Sequence, residues 1–265
     1  MAAPSPKRQR AARDRLAELF GHPASAFVIH YACQSFSQPQ RYGSPRITSI
    51  AIRNIETGQT TAFSIHEELE LANIPVSDVH AHFDQLEYRM LEKYFVYLRE
   101  NRNFRFLHWN MRDQKFGFSA IEHRFRKLGG TPFELPEQNR SDLAIITSDI
   151  YGSGYLPKPY LQNLAERNGL TTAGFLAGAE EPAAFSNRQF ARILQSTLCK
   201  VTVLSDAANL IHDGTLKTDA TLWTLHGGRV REIWHRYQSD PVAAFISIAV
   251  SMGASFFAVL EYLDR

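Results

Sequence analysis

Residues 106–118, with the sequence FLHWNMRDQKFGF, bring three chemically useful side chains close together in the chain. An apolar run ends in His108, and Asn110 and Asp113 follow before the chain becomes apolar again. An imidazole transfers protons near neutral pH, and a carboxylate is a ligand that hard divalent cations prefer. The stretch therefore predicts either a strand end that delivers an active site or an ordinary polar loop between a strand and a helix.

Strand and helix patterns alternate around this stretch. The hairpin prediction rests on alternating residues on both sides of the turn ETGQ. Single strands are predicted over 24–36 and 104–109, with a two-stranded hairpin over 46–66 between them. Helices are predicted over 84–100, 115–130 and 186–214, and two more within 141–170. This order predicts an α/β fold with a mixed β-sheet flanked by helices, plus a C-terminal hydrophobic helix.

Four segments are expected along the 265 residues. They are a basic N-terminal segment 1–23, a main domain 24–214, a connector 215–240 and a transmembrane helix 241–262. The basic segment is interpreted as a solvated, frayed terminus, or alternatively as a contact to phosphates or anionic lipid. The net charge of +2 gives no global field that would favour nucleic acid, and two cysteines fit a reducing compartment.

The order of elements and the five-residue separation of His108 and Asp113 resemble the DEDD 3′–5′ exonuclease family of the ribonuclease-H-like fold. In that family a first strand carries Asp-x-Glu, a later strand ends in a His-Asn-x-x-x-Asp type motif, and the last helix brings the final Asp. The resemblance covers roughly residues 24–205 and includes 142–170. It implies Mg²⁺ or Mn²⁺ held by four carboxylates, and single-stranded nucleic acid as the partner.

This chain departs from that acidic set. Ala32 and Gln34 stand where Asp-x-Glu is expected, and the place of the final Asp falls among Ser196, Cys199 and Lys200. Pro182 and a loop are expected to follow Glu180 and Glu181, so these acids are expected outside the site unless its geometry is rearranged. The resemblance then leaves Asp113 as the metal ligand, with His108, Asn110 and Gln34 as the other candidate site residues.

Three function hypotheses follow. The first is a degenerate or weakly active exonuclease-like domain that binds nucleic acid, with Mg²⁺ or Mn²⁺ only if it is active. The second is a non-enzymatic, membrane-anchored interaction protein. The third is a soluble, active metal-dependent 3′–5′ exonuclease that uses Asp113, Asp240 and an upstream Glu, with the His235 and Asp240 pair matching the spacing of the family's last motif.

Two further groupings of polar side chains stay open at this point. Thiolate and imidazole ligands suit Zn²⁺, which allows a zinc site made by His30, Cys33, His108 and Cys199. The basic side chains of 123–127 fit either a phosphate groove or a solvated helix face.

The segment 241–260 has no charged residue. About 20 apolar residues in a helix cover the hydrocarbon core of a bilayer. Arg229, Arg231 and Arg236 precede the segment and Arg265 follows it, so the positive-inside rule places the main domain in the cytoplasm. The alternative is a buried helix of a soluble cytoplasmic protein.

Deletion of 241–265 tests this membrane prediction. A chain anchored by this segment requires detergent for extraction, and the deletion variant moves to the soluble fraction because the apolar span is gone. Membrane fractionation of both proteins measures the change. A deletion variant that still requires detergent contradicts the anchor.

Overall fold

The sheet is mixed and contains five strands among the residues that the computed structural model describes, 4–35, 44–112 and 117–220. The strands are β1 Ala26–Cys33, β2 Ile47–Asn54, β3 Thr60–Ser64, β4 Arg105–His108 and β5 Arg140–Asp142. Their order is β3-β2-β1-β4-β5. β1 pairs antiparallel with β2, and β2 with β3, whereas β1–β4 and β4–β5 are parallel. The predicted mixed α/β sheet is confirmed.

Helices cover both faces of this sheet. They are α1 Pro6–Phe20, α2 Ile65–Leu71, α3 Val79–Glu100, α4 Phe118–Lys127, α5 Leu143–Tyr151, α6 Tyr160–Arg167, α7 Glu180–Ser186 and α8 Phe190–His212. Single 3₁₀ turns lie at Pro23–Ser25, Val76–Asp78 and Glu137–Asn139. The helix expected over 186–214 is therefore α8, and the shorter α7 precedes it as a separate element.

The two faces of the sheet belong to two hydrophobic clusters. On β1, Phe27 and Ile29 point into a cluster with residues of α3 and α4, and Ala26 and Val28 point into a second cluster with residues of α1, α5 and α8. A strand buried on both faces reads as a continuous apolar run rather than as an alternating pattern. This explains the apolar sequence of β1.

The N-terminal basic segment is helical and packed, so the expectation of a frayed terminus is wrong for residues 6–20. Ser5 caps α1 by accepting a hydrogen bond from the backbone N–H of Arg8 at 3.4 Å. Ala12, Leu16 and Leu19 recur at three- and four-residue spacing and are buried in the second cluster. The basic side chains of this helix lie on its exposed surface.

The turn between β2 and β3 is organised by Asn54. Its side-chain oxygen accepts hydrogen bonds from the backbone N–H groups of Glu56 and Thr57, at 3.0 and 2.8 Å. Gly58 has φ +70°, a backbone conformation that residues other than glycine rarely adopt. The predicted hairpin turn is confirmed.

A buried ion pair joins α3 to α4. The carboxylate of Glu87 accepts hydrogen bonds from Arg124 Nε at 2.9 Å and from the backbone N–H of Ile47 at 2.6 Å. Arg124 also binds Asp84 at 2.8 Å. Burial raises the pKa of Glu87, and Arg124 opposes that shift. Because Arg124 is committed to this pair, it does not line a phosphate groove.

Several expectations fall on residues that the structure leaves undescribed. Asp113, His235, Asp240 and the predicted helix 241–262 lie outside the described residues. Within the described ranges, none of the helices combines the length and the apolar composition that a membrane crossing needs.

Substitution Arg124→Met is expected to destabilise the fold strongly. It leaves the Glu87 carboxylate, which is 0% exposed, without its cation. Removing one partner of a buried pair costs about 3–5 kcal/mol of unfolding free energy. Urea denaturation followed by circular dichroism measures the loss.

Arg126→Met on the same helix is the matched control. Arg126 pairs with Glu134 on the surface, where both side chains are about half exposed or more. Loss of an exposed pair costs about 0–1 kcal/mol. Equal destabilisation by the two substitutions would contradict the structural importance of the buried pair.

Candidate functional site

A cleft of about 1090 Å³ opens at the carboxyl end of β1. Its polar walls include His30 from β1, Gln34 directly after β1, Glu181 from α7 and Lys200 from α8. Apolar side chains complete the walls; they are Pro159, Leu161, Phe175, Leu176, Pro182 and Phe185. Clefts at the carboxyl ends of parallel strands, apolar with a few convergent polar groups, are the usual ligand sites of α/β folds.

His30 on β1 and Gln34, which directly follows this strand, both line the cleft. Side chains two apart on a strand share a face, so His30 follows Ala26 and Val28 on the side that α8 covers. The pairing with β2 shifts register between Ala32 and Cys33. Gln34, just beyond this irregularity, lines the cleft, whereas Ala32 is fully buried and does not.

Lys200 and Glu181 form a buried ion pair in the cleft. The Lys200 Nζ lies 2.5 Å from Glu181 Oε1, and the two residues are 7% and 5% exposed. Ser196, one turn before Lys200 on α8, donates to the same oxygen at 3.4 Å. The Ser196 hydroxyl also accepts from the backbone N–H of Leu176 at 3.0 Å, which ties the wall at 175–179 to the helix.

The expectation that Glu181 lies outside the site is wrong. Helix α7 begins at Glu180, so Pro182 occupies its first turn, where proline needs no intrahelical N–H partner. The helix therefore continues through Pro182 and directs Glu181 into the cleft. Acidic residues and a proline are both common in the first turn of a helix. The sequence Glu180-Glu181-Pro182 could therefore have predicted a helix start here.

His30 is neutral and has unused hydrogen-bonding groups. Burial, and secondly the charge of Lys200, lower its pKa to about 3. Neither ring nitrogen has a hydrogen-bond partner among the described residues, and both nitrogens are buried. A neutral imidazole provides one donor and one acceptor. His30 therefore keeps one unused donor and one unused acceptor at a residue that lines the cleft.

The described residues do not fit a two-Mg²⁺ or two-Mn²⁺ centre. They contain no cluster of three or more His, Cys, Asp or Glu side chains placed to hold a metal ion. Such ions need several carboxylate oxygens, whereas this cleft has the amide of Gln34 and the carboxylate of Glu181, which Lys200 already neutralises. The ammonium of Lys200 repels a divalent cation at the same place.

His108 and Asn110 do not line this cleft. His108 lines a separate cavity of about 450 Å³ together with Arg15, Arg140 and Asp142. The Nδ1 atom of His108 accepts from the backbone N–H of Met111 at 3.1 Å. Burial lowers the pKa of His108 to about 4, although Asp142 opposes that shift. The imidazole is therefore neutral in this second cavity.

Asn110 serves the connection between β4 and the following residues. It has φ +55°, in the left-handed region that asparagine tolerates, and it is exposed. Its backbone N–H donates to Asp142 Oδ1 at 3.2 Å, and the same oxygen caps α5 by accepting from Ala144 N at 2.9 Å. The predicted site set is therefore divided: Gln34 lies in the cleft, and His108 and Asn110 lie with Asp142.

The zinc hypothesis is wrong for the four side chains that it requires. Cys33 is buried in the first cluster, where burial raises the pKa of its thiol. Cys199 donates to the carbonyl of Thr171 at 3.5 Å. His30 and His108 line different cavities. The four residues therefore do not meet at one point.

The unfolding free energy is expected to fall as the pH falls from about 7 to about 5, in part through His30. Its pKa is about 3 when folded, below the ordinary 6.5, so between these values the unfolded chain binds the extra proton. This contribution is roughly 2 kcal/mol over the two units. The substitution His30→Gln removes this contribution. His108 contributes equally in the wild type and in the His30→Gln variant, so the difference between the urea titrations of these two proteins isolates His30. Parallel pH profiles would contradict a buried neutral His30.

Comparison with known proteins yields no match: no family model, no curated protein and no solved structure is similar to the chain.

Proposed function

We propose that the chain is an exonuclease-like nucleic-acid-binding domain with a degenerate active site. One observation carries this proposal: Gln34 and Lys200 line the same cleft. The resemblance offers Gln34, beside Ala32, for a carboxylate place at the first strand, and Lys200, beside Ser196 and Cys199, for the one on the last helix. The cleft that both line supports the proposal, and their side chains explain why hydrolysis would be lost or weak.

The chain topology supports the same proposal. The first three strands form an antiparallel meander, and α3 leads into β4, which lies parallel to β1. The long helix α8 then packs on β1 and β2. This is the order of elements on which the resemblance to the ribonuclease-H-like fold rests.

The chemistry of the cleft favours binding over cleavage. Gln34 has the shape of glutamate but cannot hold a divalent cation as strongly, because its amide is neutral. The carboxylate of Glu181 is occupied by Lys200, so it is poorly placed to accept a proton from water. Phe175 and the apolar walls offer surfaces on which the bases of a single strand stack.

The proposal retains the C-terminal segment as a tether. The uncharged residues 241–260 would hold this domain at the cytoplasmic face of a membrane, with the cleft available to single-stranded ends.

Cleavage and binding by the full chain test the proposed function. We expect binding of single-stranded DNA or RNA oligonucleotides and little or no Mg²⁺- or Mn²⁺-dependent cleavage. Fluorescence anisotropy and denaturing gels measure the two activities, and Asp113→Ala is the control for residual cleavage. Efficient cleavage that Asp113→Ala abolishes would favour an active exonuclease. Cleavage unchanged by Asp113→Ala would indicate a contaminant or another site.

A matched pair of tryptophan substitutions shows whether binding uses the cleft. Ala177 lines the cleft, and Ala173 lies exposed on the same segment outside it. Ala177→Trp fills the cleft and is expected to weaken oligonucleotide binding about tenfold or more, because stacking and backbone contacts are both blocked. Ala173→Trp should leave binding unchanged. Failure of the wild-type chain to bind any oligonucleotide would favour the non-enzymatic interaction protein.

A further inference from the structure

We propose that Lys200 replaces the divalent cations at this cleft and binds an anionic phosphate oxygen of the ligand directly. This inference rests on the proposed function and names the group through which the ligand is held. It predicts a nucleic-acid site that works without metal.

Lys200 has unused donors in a buried position. An ammonium carries three N–H donors. Glu181 is its one hydrogen-bond acceptor among the described residues, and Lys200 is only 7% exposed. Burying donors without acceptors is unfavourable. A ligand that brings oxygen acceptors into the cleft relieves this cost.

The surroundings hold the ammonium at the wall of the cleft. Its nitrogen lies 4.9 Å from the centre of the Phe175 ring, within the range of a cation–π contact. Phe175 precedes Leu176, whose backbone N–H is bound to Ser196 on α8. Lys200 is therefore positioned between Phe175 and Glu181, and the ligand does not need to order a mobile side chain.

The same cleft supplies neutral partners for the ligand. His30 has a free donor and a free acceptor, and Gln34 carries an amide. Neutral donors contact a phosphate oxygen without attracting a metal ion, and the ammonium adds a charge-assisted bond. The combination suits a phosphate group that is attached to a hydrogen-bonding ring, as in a nucleotide.

Glu181 limits the affinity of this arrangement. Its negative charge offsets that of Lys200 and repels an incoming phosphate. Replacing Glu181 with the neutral Gln should therefore strengthen anion binding, whereas replacing Lys200 should weaken it. A site that needed Mg²⁺ would show the opposite response to Glu181→Gln, because it would lose a carboxylate ligand.

The experiment measures binding of a single-stranded oligonucleotide to the full chain in EDTA and in Mg²⁺ at matched ionic strength. Lys200→Met is compared with Lys93→Met, which breaks another Lys–Glu pair with the same 2.5 Å separation, between Lys93 and Glu68, away from the cleft. Binding of a nucleoside monophosphate and of inorganic phosphate is measured separately. Comparing these affinities with that of the oligonucleotide distinguishes a site for a nucleic-acid strand from a site for a free nucleotide. The double variant Lys200→Met with Glu181→Gln removes both charges of this pair, and it replaces Lys200→Met if the single variant does not fold.

We expect binding that is unchanged in EDTA, weakened about tenfold by Lys200→Met and unaffected by Lys93→Met. The double variant should also bind more weakly than the wild type, but by a smaller factor than Lys200→Met, because the repulsion by Glu181 is removed as well. Glu181→Gln alone should tighten binding several-fold. Two outcomes overturn the role of Lys200 while the proposed function stands. One is oligonucleotide binding that needs Mg²⁺, and the other is equal binding by the Lys200→Met and Lys93→Met variants. Lys200-dependent binding of a nucleoside monophosphate without oligonucleotide binding supports the phosphate site and overturns the nucleic-acid function. No binding of any of these probes overturns both.

Discussion

The packing of α8 across the two central strands is the constraint on which the cleft depends. The hydroxyl groups of Ser49 on β2 and Thr197 on α8 are 2.7 Å apart, and both residues are fully buried. This bond fixes the axial position of the helix on the sheet. Ala51 on β2 and Ala207 on α8 share the second cluster, and small side chains let a helix and a sheet approach closely. With Thr197 held against the sheet, Lys200, three residues later on the same side of the helix, lines the cleft.

The apolar runs of β1 and β4 and the turn ETGQ were sufficient to predict β1 to β4, because these signals are local. The three-residue strand β5 was not predicted. The cleft depends on pairs that are distant in sequence. Gln34 and Lys200 line it, whereas Ala32, which the same strand alignment offered, does not. Glu181 was expected outside the site because a loop was predicted after Pro182, whereas Pro182 lies in the first turn of a helix.

His108 shows the limit of a spacing argument. Its distance from Asp113 in the sequence places it at the end of β4, and the strand does end there. Spacing does not determine which wall a strand-end side chain faces, because the chain turns at that point. Asn110 adopts a left-handed conformation and its backbone binds Asp142, the cap of α5. That neighbouring helix start, rather than the cleft, determines where this polar stretch is held.

The pairing of Lys200 with Glu181 also bears on how such a chain can change over generations. Reversing position 200 to an acid in one step would set two carboxylates against each other in a buried place, and removing Glu181 first would leave a buried ammonium without its counter-ion. Each path crosses a less stable intermediate. The ion pair therefore restricts which substitutions position 200 accepts for as long as Glu181 is present.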